Sequence, residues 1–86
     1  MQLRRLSRFE RSVKSLPPDG KKALAKALQL LQQDPRHPGL NLERVPGHPS
    51  RWVARASRDV RFSFDWEGDF ITLRVVGHHD DVWRAP

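Results

Sequence analysis

Residues 60–76, VRFSFDWEGDFITLRVV, decide how this chain folds. Apolar and polar residues alternate on both sides of a Glu-Gly-Asp centre, the period-two pattern of a strand, a tight turn and a returning strand. With Glu67 and Gly68 as the hairpin loop, Phe64 falls opposite Ile71 and Phe62 opposite Leu73, so the large apolar side chains share one face. The same register sets Arg61 opposite Arg74 on the other face. Like charges directly across a strand pair are destabilising, by some tenths of a kcal/mol up to ~1. Such a pair is therefore expected to serve an anion, or else to be neutralised by a neighbouring acid such as Asp59 or Asp65.

Upstream of the hairpin, LNLERV (40–45) and RWVARAS (51–57) alternate in the same way and are separated by PGHPS. Arg55 has the parity of Val53, and Arg44 and Arg51 flank the intervening loop, which extends the expected basic face across the sheet. Further upstream the period changes. In SRFERSVKSLPP (7–18), Phe9, Val13 and Leu16 fall at helical spacing, Ser7 and Glu10 match a capping box, and Pro17-Pro18 ends the pattern. A second helix follows, with Pro18 and Asp19 at its start, Leu24, Leu28 and Leu31 on one face, and Asp34-Pro35 at its end. A further strand within MQLRRL is only weakly signalled. A helical half followed by a strand half predicts an α+β domain over residues 1–86, an N-terminal helical hairpin packed on a small, mainly antiparallel sheet of about four strands.

At 86 residues the chain is expected to form one domain with a modest core and no room for a cofactor domain. It carries 16 Lys and Arg against 10 Asp and Glu, a net charge of +6, which attracts polyanions such as nucleic acid. Cysteine is absent, so disulfides, thiolate metal sites and a catalytic thiol are excluded. The charged N-terminus lacks the apolar stretch of a signal peptide, and no window approaches a membrane span; the expected location is cytoplasmic.

The end of the chain, VVGHHDDVWRAP (75–86), brings His78, His79, Asp80 and Asp81 beside Trp83. A solvated polar tail is one reading. A Zn or Mn site is another, although adjacent ligands on a strand point apart. Acid-base chemistry is the third, because imidazole titrates near neutral pH.

Taken in order, the helical hairpin F.rsvksLP...kkAL.kaL.lL..DP, the loop LNLERVPG, the strand WVARASRDVRFSF and the ending LRVVGHHDDVW resemble the RelE/ParE toxin superfamily over nearly the whole chain. The pattern is most similar to the YafQ and RelE type, which ends in a histidine followed four residues later by an aromatic, the spacing of His79 and Trp83. The resemblance implies the toxin of a type II toxin-antitoxin system, a ribosome-dependent endoribonuclease that cuts messenger RNA. Its chemistry would be attack of a ribose 2′-OH on the adjacent phosphate, with no metal and no cofactor. By resemblance Arg61 stabilises the phosphate, His79 is the acid/base, Trp83 stacks on a base, and Asp59 matches an acidic active-site position of the YafQ-type branch. Glu43 is a further general-base candidate. Arg44, Arg51, Arg55 and Arg74 would contact RNA.

Trp83 stands where relatives usually carry tyrosine or phenylalanine, which leaves stacking and removes a phenolic proton donor. Strand parity from Ile71 and Leu73 puts His78 on the arginine face, whereas spacing to the aromatic favours His79, so both remain candidates. The resemblance further implies an acidic antitoxin encoded nearby, with the ribosome and mRNA as the other partners. Two alternatives stay open: a ParE-like inhibitor of DNA gyrase, and a catalytically inactive relative that only binds its antitoxin.

Overall fold

In the computed structural model, which describes residues 1–86, the chain runs through strand β1 (Gln2–Arg5), helices α1 (Ser7–Lys14) and α2 (Pro18–Gln33), and a 3-10 turn (Pro38–Leu40). It continues through β2 (Glu43–Arg44), β3 (Arg51–Arg55), β4 (Val60–Glu67), β5 (Phe70–His78) and helix α3 (His79–Arg84). The strands form one five-stranded sheet in the order β1-β5-β4-β3-β2. Every pairing is antiparallel except that of β1 with β5. No helix is long and apolar enough to cross a membrane.

The predicted helical hairpin forms within a few residues of its expected bounds. Pro17 precedes α2 with Pro18 in its first turn, where a missing N–H costs nothing. The capping box does not form: Ser7 is already helical, and Leu6 precedes it with no side-chain cap. Ser12 serves α1 instead, its hydroxyl donating to the Phe9 carbonyl at 2.7 Å and accepting from Val76 N–H at 3.1 Å, which ties α1 to β5. The apolar side of α1 and α2, with Phe9, Leu24, Leu28 and Leu31, closes on Ala54, Val60, Phe62, Phe64, Ile71, Leu73 and Val76 of the sheet. Leu→Ala in such a core costs about 2–5 kcal/mol.

The hairpin register differs from the expected one. Glu67 pairs with Phe70, so Gly68 and Asp69 make the turn, with Gly68 at φ +59° where a side chain would be strained. Phe64 therefore faces Leu73 rather than Ile71, and a bulge follows, because Ser63 pairs with Val75 and Arg74 is the extra residue. A bulge shifts side-chain parity. Val76 rather than Val75 consequently enters the core, and Arg61 lies opposite Gly77 instead of Arg74. Gly77 sits in ordinary register opposite Arg61.

The second difference is at the end of the chain. The segment for which a solvated polar tail was one reading is helix α3, which buries Val82 fully against Val45 and Val53 on the sheet face opposite the other helices, with Val75 and Trp83 at the rim of this small cluster. Arg8 donates to the Ala85 carbonyl, and Arg74 Nε donates to that of Pro86 at 3.1 Å. The histidine segment is thus docked on the sheet.

Candidate active site

The β3–β4 turn places the first group of candidates. Ser57 Oγ accepts from Val60 N–H at 3.2 Å and shapes the turn so that Arg61 reaches back over it. Arg61 Nη1 donates to the carbonyls of Ser57 at 2.7 Å, Arg58 at 3.1 Å and Val60 at 3.3 Å. Its Nε and Nη2 have no protein acceptor, and no carboxylate pairs with it. Its neighbour across the strand is Arg55, also without a carboxylate partner. The like-charge pair read from sequence therefore exists, but between Arg61 and Arg55.

His78 is the last residue of β5, opposite Val60. The bulge gives it the parity of Val76, so it falls on the face of α1 and α2 rather than on the arginine face that strand parity had assigned. There it lines a cleft of about 300 Å³ together with Asp19, Ser57 and Asp59. Asp19 was legible only as a helix start, because nothing in a linear pattern links it to residues some forty positions away.

His79 opens α3, and its side chain is 55% exposed. Its Nδ1 lies 3.0 Å from Asp80 Oδ1. An ionised carboxylate only accepts, so Nδ1 carries the proton in this contact and the neutral ring keeps its lone pair on Nε2. The hydrogen bond from His79 and its charge hold the Asp80 carboxyl below the ordinary aspartate range. The Trp83 ring lies beside the imidazole, centroids 6.3 Å apart and tilted by 48°. Trp83 is half-buried against the valine cluster, and its Nε1 is buried without a hydrogen-bond partner, as is the Ser63 hydroxyl.

The remaining arginine candidates are engaged. Arg51 makes a fork to Asp65, Nε to Oδ1 at 2.8 Å and Nη2 to Oδ2 at 3.2 Å, and Arg74 Nη1 reaches Oδ2 at 3.4 Å. Burial pushes the Asp65 carboxyl up, but the Arg51 hydrogen bond and the charges of Arg51, Arg74 and His48 outweigh it and hold the group below its ordinary value. Arg44 donates to the Pro49 carbonyl at 3.1 Å and lies over the Trp52 ring. Glu43 is exposed on the short edge strand β2, with β3 between it and the strand of Arg61.

The structure thus brings Asp59, Arg61, Arg55 and His78 to one end of the sheet, with His79 and Trp83 continuing directly from β5 on the first turns of α3. It leaves Glu43, Arg44, Arg51 and Arg74 apart, along the rest of the sheet. No group of three or more His, Cys, Asp or Glu is arranged to hold a metal ion. Chemically, the end of the sheet offers an oriented guanidinium with unneutralised charge and two imidazoles, His79 on the α3 side with Arg61 and His78 on the side of α1 and α2.

No protein-family model matches the chain, and no curated protein matches it. Solved structures do. A chain of the DinJ–YafQ toxin-antitoxin complex of E. coli superposes with a TM-score of 0.80 at 13% identity, over 95% of this chain and 96% of that one. YafQ from E. coli strain BL21(DE3) gives 0.79 at 11% identity, over 95% and 97%. A chain of the RelB–RelE antitoxin-toxin complex of Methanococcus jannaschii gives 0.78 at 18% identity, over 96% and 99%. The fold is the one these solved toxin structures share.

Proposed function

We propose that this chain, built on the RelE-like fold, is the toxin of a type II toxin-antitoxin system and cuts messenger RNA on the ribosome without a metal or cofactor. The observation that carries the reading is Arg61. Three backbone carbonyls orient one nitrogen of its guanidinium, and the other two nitrogens are left without an acceptor. A planar cation held in this way suits two phosphate oxygens at once. Arg55 beside it adds charge for the same phosphate or the next.

In the proposed step the 2′-oxygen of a ribose attacks the adjacent phosphorus, the bond from phosphorus to the 5′-oxygen breaks, and a 2′,3′-cyclic phosphate forms. One group takes the 2′-hydroxyl proton and one supplies a proton to the leaving 5′-oxygen. Arg61 offsets the charge that grows on the phosphoryl oxygens. His79 supplies acid-base function through Nε2, the nitrogen left free by the contact with Asp80. His78, in the cleft with Asp59 on the face of α1 and α2, lies on the opposite face from Arg61 and is the competing candidate rather than a partner in this step. Trp83 offers a half-buried indole to a base, and Glu43, on β2 at the level of Val53 and Ser63, is a further general-base candidate.

An acidic antitoxin that folds on binding fits a +6 domain, and the toxin-antitoxin complexes among the similar structures support such a partner. The test is expression in growing cells, followed by mapping of message ends with translation running and with translation blocked. Cuts that appear only with active ribosomes, and growth rescued by co-expression of a neighbouring acidic gene product, are the expected result. Intact messages with gyrase-dependent DNA damage would select the ParE-like reading instead.

A further inference from the structure

At the far end of β4 from Arg61, the chain builds a second site of a different kind. Trp52 and Trp66 project on the same side of the sheet as α1 and α2, at the rim of the main core. Both are half-buried, with ring centroids 6.5 Å apart and planes tilted by 55°. A tilt of that size keeps the rings from closing on one another. Between them and the segment after α2 opens a slot of about 380 Å³, lined also by His37 and Leu42. Trp66 is five residues along β4 from Arg61, a separation of about 17 Å at strand rise.

Each indole carries a guanidinium. Arg36 Cζ lies 5.1 Å from the centre of Trp66, and Arg44 Cζ lies 4.7 Å from that of Trp52. Both arginines are exposed, and neither makes a salt bridge. His37 Nδ1 accepts from Gly39 N–H at 2.9 Å, so the neutral ring carries its proton on Nε2 and presents a donor.

From this arrangement we propose that the Trp52–Trp66 slot is a second RNA contact that accepts one unpaired nucleotide, its base against the indoles and its phosphate on Arg36 or Arg44. The proposal rests on the target of the chain being RNA. Stacking of a base on an aromatic ring is a stronger contact than an exposed cation–π pair, so a base can displace a guanidinium that then remains within reach of the phosphate attached to it. An apolar peptide segment would cover the rings but leave both cations unneutralised. A nucleotide satisfies ring and cation together.

The chain has three tryptophans, so Trp83→Phe leaves Trp52 and Trp66 as the only indole reporters. Titration of that protein with hexa-adenylate RNA is expected to quench its fluorescence saturably, and the quench should survive Arg61→Ala. Arg36→Glu with Arg44→Glu, both exposed and so compatible with folding, should weaken it by about tenfold. An abasic oligomer of equal charge should not quench. On programmed ribosomes the same double variant should raise KM and leave kcat near parental. Absence of a quench, or an equal quench by the abasic oligomer or by an acidic peptide, would overturn the slot in favour of a plain basic surface or a protein-docking face. A protein that cleaves normally while the double variant keeps its KM and shows no quench loses the slot and keeps the nuclease reading. A protein that quenches with hexa-adenylate and cleaves nothing keeps the slot and loses the nuclease reading.

Discussion

His78 and His79 are adjacent in sequence, yet their side chains answer to different elements. His78 ends a strand whose parity was reset by the bulge at Arg74, and it faces the cleft of Asp19 and Asp59. His79 begins a helix, and its ring is fixed on one side by Asp80 and on another by Trp83. Replacing either with glutamine keeps hydrogen bonding and removes a titratable nitrogen. His79→Gln is expected to lower the single-turnover cleavage rate by about 10²-fold or more, the usual contribution of general acid-base catalysis, while sparing ribosome binding. Rates measured across pH for both variants check this. A parental rate for His79→Gln with a crippled His78→Gln would transfer the role to the cleft histidine and its aspartates.

Among the elements, β3, β4 and β5 are joined on the α3 side by a single carboxylate. Asp65 lies opposite Arg51 and one bulge away from Arg74, and it binds both. Because its folded pKa is depressed, its contribution to stability is present above the unfolded value near 3.9 and is lost as pH falls through the lower folded value. Acid unfolding should therefore steepen below about pH 4 in the parent and be flatter in Asp65→Asn. That variant should also lose about 2 kcal/mol at neutral pH, the scale of hydrogen bonds to charged groups, with denaturant titrations at several pH values as the check. The same three strands mark what the sequence could and could not tell. Helical spacing of Phe9, Leu24, Leu28 and Leu31, and alternation at Phe62, Phe64, Ile71 and Leu73, sufficed for the hairpin and the sheet, since both periods follow from burying one face. The bulge was not legible, because Arg74 and Val75 alternate normally in the string and only the pairing with β4 exposes the extra residue. The helix α3 was hidden because three of its first residues are polar and its anchor, Val82, packs on valines some thirty to forty residues away. Strand β1 was faint because its charged residues face solvent and its partner, β5, is distant in sequence. Of the site, Arg61 and the histidines were legible by resemblance and by residue chemistry. The commitment of Arg51 and Arg74 to Asp65, and the Trp52–Trp66 slot, required the fold.

For the molecule as a whole, net charge says less than the way its cations are distributed. Arg51 and Arg74 hold strands together, Arg36 and Arg44 lie on indoles at one end of the sheet, and Arg55 and Arg61 stand unneutralised at the other, beside the histidines. The two end clusters lie on opposite faces of the sheet, the indoles on the side of α1 and α2 and Arg61 on the side of α3, and only Arg61 combines an oriented guanidinium with two nitrogens left without an acceptor. Removing Arg61 should leave the fold standing, since its contacts are to turn carbonyls and its side chain is outside the core, at a cost of about 1 kcal/mol. Under the proposed function it should also remove the group that grips the phosphate. The decisive measurement is single-turnover cleavage of message on programmed ribosomes by parent and Arg61→Ala protein, with circular dichroism on the same samples. The expected result is a native spectrum with cleavage reduced by about 10²-fold or more, the scale of losing one preorganised charge-stabilising donor. A folded Arg61→Ala protein that cuts message at the parental rate would contradict the account.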